Sequence, residues 1–273
     1  MKEKRYIVDT TLRDGEQCPG IALSMNDKVE LAKRLDSLGT YEIEVSISAS
    51  GEEEIQFVKE IKKACATSKI SVWSRMSKED IEKSIKCKPD IIHLGIPVSY
   101  VQIYHELKKN KTWLRKMLLI CADAVMEAGV GLTVGFVDAS RSDIGFMISL
   151  AKELEAIGVK TIQIADTVGI LTPDRSGNIV RQLKECSNLT IEFHAHNDLG
   201  MAIANSVTAA KAGAEVIDCT LGGIGARSGN CNFYDLLDVS ESFIDFGILK
   251  ENVKELQERL FEILSYSVPF HIN

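Results

Sequence analysis

Eight times along this chain a short run of β-favouring residues is followed by a stretch with apolar residues at helical spacing. The runs are Tyr6 to Thr10, Tyr41 to Ile47, Ile70 to Trp73, Ile91 to Ile96, Gly131 to Phe136, Thr161 to Ala165, Thr190 to His194 and Glu215 to Leu221. The helical stretches are Asp27 to Leu38, Glu52 to Ala66, Lys78 to Ile85, Tyr100 to Ala128, Asp143 to Ile157, Pro173 to Cys186, Met201 to Ala212 and Phe233 to Phe246. In the first of them Val29, Leu31, Ala32, Leu35 and Leu38 share one helix face, and Gly39 supplies the stop. Eight such units predict a (β/α)8 TIM barrel, with a ninth helix, Lys250 to Leu264, left over. No linker rich in Pro, Gly or Ser interrupts the chain, so residues 1–273 are expected to form a single barrel domain.

Charge narrows the class of partner. The 273 residues carry 32 Lys and Arg against 39 Asp and Glu, a formal charge of −7, which gives no electrostatic reason to expect nucleic acid or an anionic membrane. A small molecule fits better. No apolar run reaches the roughly 18 residues of a membrane span, and Met-Lys-Glu-Lys-Arg leads into a strand rather than a signal-peptide core. The expected location is therefore cytoplasmic. The seven cysteines are odd in number and contain no Cys-x-x-Cys, which points to reduced thiols, most of them small core residues.

A barrel of this kind places its active groups at the carboxyl ends of the strands and in the loops after them. Strand seven ends in Ile191-Glu-Phe-His-Ala-His-Asn-Asp-Leu-Gly200, where His194 and His196, two residues apart, project from one face. Strand one runs into Arg13-Asp14, and strand eight into the glycine-rich loop that ends at Asn230. Closure sets strand eight between strands seven and one, so Asp14, His194, His196 and Asn230 can converge on one seam. That nitrogen and oxygen set suits a catalytic divalent metal, with Mn, Mg, Zn and Fe all open. Bound imidazoles must be neutral, so affinity should fall as pH drops through the ordinary histidine range near about 6.5. Each residue also has a plain alternative: a loop cap for Asp14, a turn for Asn230, a salt bridge to Asp9 or Glu44 for Arg13, a helix cap for Thr167.

Three long motifs add a resemblance. Asp-Thr-Thr-Leu-Arg-Asp-Gly-Glu-Gln at 9 to 17, His-Ala-His-Asn-Asp-Leu-Gly at 194 to 200 and Gly-Ile-Gly-Ala-Arg-Ser-Gly-Asn at 223 to 230 resemble the signatures of the DRE-TIM metallolyases. These are the isopropylmalate, citramalate and homocitrate synthases and hydroxymethylglutaryl-CoA lyase. Gly-Glu-Glu-Glu at 51 to 54, Pro-Val-Ser at 97 to 99, Asp-Ala-Ser-Arg at 138 to 141 and Ala-Asp-Thr-Val-Gly at 165 to 169 look most like the nitrogenase-type homocitrate synthases, in their barrel part only. The resemblance implies a Claisen-type condensation of acetyl-CoA with a 2-oxo acid. It also implies that Asp14, His194 and His196 bind the metal with Asn230 close by, that Arg13 faces the reacting carbonyl, and that Gln17 and Thr167 contact the 2-oxo acid. A metal-dependent carbon-carbon lyase or aldolase is the alternative, although the Gly-rich cysteine loop of hydroxymethylglutaryl-CoA lyase is missing.

Several positions depart from the family pattern. Val137 and Ala226 stand where a Glu is usual, and Ser46 and Ser48 where a Gly and a Pro are usual. Such Glu residues orient the Arg or relay protons, so their loss bears on rate and acceptor, and a weakened barrel that binds and regulates is a third reading. The chain also stops at Asn273, whereas the synthases continue into a region whose His assists proton transfer; His271 is not in that motif. One half of a split enzyme is therefore expected, with a partner chain supplying that region and a homodimer or hetero-oligomer as the assembly. The last helix, with Val253, Leu256, Leu260, Ile263 and Leu264 at helical spacing, can dock on its own barrel or serve as an interface.

Overall fold

The protein is described here by a computed structural model covering residues 2–47 and 51–267, so Ser48 and His271 lie outside the described residues. After a short β1 (Glu3–Lys4), eight parallel strands close into one barrel in chain order. They are β2 (Tyr6–Asp9), β3 (Glu42–Ile47), β4 (Lys69–Arg75), β5 (Ile91–Pro97), β6 (Gly131–Val137), β7 (Thr161–Asp166), β8 (Thr190–Ala195) and β9 (Val216–Cys219). Closure is the pairing of β2 with β9, from Tyr6 opposite Val216 to Asp9 opposite Cys219. Around it lie α1 (Met25–Ser37), α2 (Glu52–Ala64), α3 (Lys78–Cys87), α4 (Lys111–Glu127), α5 (Ile144–Ala156), α6 (Pro173–Cys186), α7 (Ala202–Ala212) and α8 (Phe233–Ser240), followed by α9 (Lys250–Ser267). The fold is the (β/α)8 barrel with an additional C-terminal helix. Among the described residues no helix is long and apolar enough to cross a membrane, and all seven cysteines are free thiols.

Strand alternation divides the interior into two layers with different chemistry. Along β8, Ile191, Phe193 and Ala195 join the apolar core between strands and helices, while Glu192 and His194 face the barrel axis. The axis is polar: Gln163 Nε2 donates to Glu192 Oε1 and to Asp218 Oδ2, each at 2.7 Å. Burial, reinforced by neighbouring carboxylates, pushes Glu42 up to about 8 and Glu192 well above the carboxylate range. Those two acids are therefore protonated at neutral pH and can share a confined space.

Three expected elements end or break earlier than the sequence suggests. The helix expected over Tyr100 to Ala128 is interrupted: Val101–Glu106 forms a π-helical segment, Lys108 turns at φ 53°, and Asn110 restarts the chain as α4 by accepting the Trp113 N–H at 2.9 Å. The stretch Phe233 to Phe246 is helical only to Ser240. Beyond it, Ile244 and Phe246 are buried with Asp245 exposed between them, a period of two, and β10 (Ile244–Asp245) pairs in parallel with β1. The last barrel strand stops at Cys219 because Thr220 bridges instead to Asn232, and Leu221–Gly223 makes a 3-10 turn.

The additional helix docks on its own barrel. Val253, Leu256, Leu260, Ile263 and Leu264 are buried, and Arg259 makes a two-pronged contact with Glu30 of α1 at 2.9 and 3.1 Å.

Candidate active site

Asp14 is placed by a tight turn in which the N–H groups of Arg13, Asp14 and Gly15 all donate to Thr10 O, at 3.1, 2.8 and 3.1 Å. His194 lies in β8 and His196 just past its end, one strand interval on. One nitrogen from each ring and one Asp14 oxygen lie within 4.8 Å of one another. Asp14 Oδ2 is 3.1 Å from His194 Nε2 and 3.6 Å from His196 Nε2, and the two Nε2 atoms are 3.3 Å apart. All three side chains are buried.

The surroundings fit a cation. His194 Nδ1 is 3.1 Å from Asp218 Oδ2, and donating that N–H leaves the Nε2 lone pair aimed at the cluster, as in ligating imidazoles backed by a carboxylate. Asn230 Oδ1 is buried without a hydrogen-bond partner, and such an acceptor needs one. Asn230 comes from the loop after β9, forms a bridge with His196, and donates Nδ2 to Ile224 O at 3.0 Å.

The protein charges around the cluster pull its members apart. Burial would push the Asp14 carboxyl up, but the Arg13 guanidinium and the two imidazoles hold it well below the usual carboxylate range. Burial opposes a charge on His194, yet its contacts with Asp14 and Asp218 outweigh that and raise it to about 9. Burial and the nearby His194 charge hold His196 down to about 4. The cluster thus favours a positive charge on His194 over one on His196.

Beside the cluster runs a second chain of polar contacts. Arg13 Nη1 is 3.5 Å from Asp14 Oδ2, Arg13 Nε donates to Glu44 Oε2 at 2.5 Å, and Glu44 Oε1 is 2.8 Å from His93 Nδ1. Burial would raise Glu44, but Arg13 and His93 bring it down to about 2, so it stays ionised and orients the guanidinium. Of the two salt-bridge partners the sequence offers Arg13, the structure uses Glu44, while Asp9 accepts the Thr11 N–H. His93 Nε2 is buried with no partner, and it fits only because position 135 is glycine: a Cβ there would run into that nitrogen. Gly135→Ala is expected to displace the ring, break the Glu44 contact and cost about 1–3 kcal/mol, read by urea unfolding. A fully stable variant would show that the ring has room to move.

Thr167, Gln17 and Asn230 are spread around the mouth. Thr167 Oγ1 accepts the Asp138 N–H at 2.8 Å, so its own hydrogen remains free to donate. Gln17 is exposed in the turn Gly15–Gln17, and its side chain is not brought to the cluster. Arg227 ties three loops, donating to Asp198 Oδ1 and Oδ2 at 2.8 and 2.9 Å and to Thr167 O at 2.6 Å. Val137 closes β6 in a cavity of about 520 Å³ lined by Trp73, Pro97 and Trp113, and Ala226 O accepts the Gly229 N–H at 3.0 Å. Ser46, at the end of β3, bonds Glu54.

Sequence reasoning misses Asp218 and His93 and treats Glu44 only as a salt-bridge partner. The available signal was a lone polar residue inside each apolar strand, in Val216-Ile217-Asp218-Cys219 and Ile91-Ile92-His93-Leu94. A charge there must point to the axis and find a partner.

A family profile described as HMGL-like matches residues 4–241. The chain is 42% identical over 257 residues to the homocitrate synthase subunit alpha of Clostridium pasteurianum, a match covering 94% of this chain and 96% of that one. It is 34% identical to 2-isopropylmalate synthase 2 of Caldanaerobacter subterraneus subsp. tengcongensis, covering 93% of this chain but only 66% of that one. The hydroxymethylglutaryl-CoA lyase structure from Pseudomonas aeruginosa superposes with a TM-score of 0.82 at 18% identity, covering 97% of this chain and 94% of that one, a likeness of fold.

Proposed function

This chain belongs to the HMGL-like family and is an enzyme, and from that premise we propose that it joins the acetyl group of acetyl-CoA to the keto carbon of a 2-oxo acid. The observation that carries the reading is Asp14 itself, flanked on one side by His194 and His196 and on the other by Arg13. Asp14, His194 and His196 would hold a divalent metal, with Asn230 Oδ1 beside them. When bound, such an ion supplies Lewis acidity toward the keto oxygen and carboxylate of the acceptor.

Arg13, Glu44 and Thr167 serve the remaining steps. Arg13 is permanently cationic, and Glu44 fixes its plane, so its free N–H groups stabilise the alkoxide that develops as the methyl carbon of the thioester bonds to the keto carbon. The methyl proton leaves to a base, the alkoxide takes a proton, and water then cleaves the thioester to free the CoA thiol. Thr167 donates its hydroxyl hydrogen to the acceptor carboxylate, whereas Gln17, exposed away from the cluster, is given no part in this arrangement. The partner implied by a relative named as a subunit alpha is a second chain, giving a hetero-oligomer or a pair of such units.

The test is thiol release from acetyl-CoA across a panel of 2-oxo acids with Mn, Mg, Zn or Fe added in turn. Release that depends on one acid and on metal supports the reading. Cleavage of a 3-hydroxy acyl-CoA with no condensation would instead make this a lyase.

A further inference from the structure

We propose that α9 is a positioning element of the site, with Gln257 and Phe261 holding the loop 221–230 in the shape that presents Asn230; this rests on reading Asn230 as part of the metal's surroundings. Gln257 Oε1 accepts the Gly222 N–H at 2.9 Å. Gly222 is at φ 66°, and a Cβ there would lie 2.6 Å from Phe261 Cζ, so the ring occupies the space that a side chain would need. The next residue passes the constraint on: Gly223 O accepts the Asn230 N–H at 2.9 Å. Asn230 then spends Nδ2 on Ile224 O and leaves Oδ1 buried and unpartnered.

The same turn is gripped from its other side. Leu221 N–H donates to Thr11 Oγ1 at 2.9 Å, and Thr11 lies in the turn that carries Asp14. The loop itself holds glycines at 222, 223, 225 and 229, whose backbone freedom makes it dependent on outside anchors. Thr11 and Gln257 anchor its first turn, and Arg227 ties its far end to Asp198 and Thr167. α9 can serve because it is itself fixed, by Arg259 on Glu30 and by its buried Val253, Leu256 and Leu260.

Gln257→Leu removes the acceptor at similar volume, whereas Gln257→Glu keeps an oxygen in place. Mn²⁺ dissociation constants of the full chain should rise about tenfold in Gln257→Leu and change less than about twofold in Gln257→Glu, the low end of what residues behind a ligand contribute. Amide exchange over residues 221–230 should quicken in Gln257→Leu and in Phe261→Ala. A merely structural role would lower the melting temperature of Gln257→Leu and leave Mn²⁺ affinity alone, which overturns the proposal. Unchanged exchange in both Gln257→Leu and Phe261→Ala overturns it as well. His194→Ala separates the two readings: if it still binds Mn²⁺ the ligand assignment fails, while the exchange result continues to judge the role of α9.

Discussion

His194→Ala is expected to empty the site of divalent metal, to cut thiol release on the order of 10³-fold or more, and to leave the barrel folded. The size follows from the several kcal/mol of charge stabilisation a Lewis-acid ion supplies, at about 1.4 kcal/mol per factor of ten. The fold should survive because the variant removes a polar axial group and leaves the apolar layer of Ile191, Phe193 and Ala195 intact. The wild-type pH profile has a definite sign. His194 must lose its proton to bind metal, and its contacts with Asp14 and Asp218 raise it to about 9, so affinity should rise with pH and level off near 9 rather than near the ordinary histidine value. Below that point it should fall about tenfold per unit, and a second proton on His196 matters only below about 4. Elemental analysis, a thiol-release assay and circular dichroism check the variant, and metal titration across pH checks the profile. Unchanged metal content in the variant would refute the ligand assignment.

The barrel is legible in the sequence because its signal is repeated eight times, and one misplaced boundary does not alter the count. Beyond the locally capped restart at Asn110, the elements that departed were decided by tertiary partners. Ile244 and Asp245 pair with Glu3 and Lys4, some 240 residues away in the chain, and no local window carries that information. In the site, His194 and His196 stand out because strand periodicity alone puts them on one face. Asp218, Glu44 and His93 do not, since each is a single polar residue whose meaning depends on which strand closes beside it. Gln163 joins Glu192 to Asp218, and Asp218 in turn meets His194, so the barrel closure is what turns separate strands into one polar axis. The resemblance of motifs supplied roles for Arg13 and Asp14, and the geometry added why Arg13 keeps its orientation.

Adding the chain that carries the region following the barrel in undivided synthases is expected to raise condensation by about 10²–10⁴-fold, the usual contribution of a positioned acid or base. The acids in contact with Arg13 are poor bases. Val137 and Ala226 offer no titratable group, and Glu44, held down to about 2 between Arg13 and His93, is too weak a base for a thioester methyl. Asp14 is more acidic still and faces the imidazoles. Glu42 is basic enough, pushed up to about 8, but it lines the opposite mouth with Tyr41 and Lys69. The chain matches 96% of a relative named as a subunit alpha and 66% of an isopropylmalate synthase. Steady-state thiol release, measured with and without the second chain at fixed metal and acceptor, reads the effect directly. If the purified chain alone matches an undivided synthase and gains nothing from any co-purifying protein, the base lies within these residues. His93, with Nε2 buried and unpartnered next to the Glu44 and Arg13 pair, is then the residue to replace first.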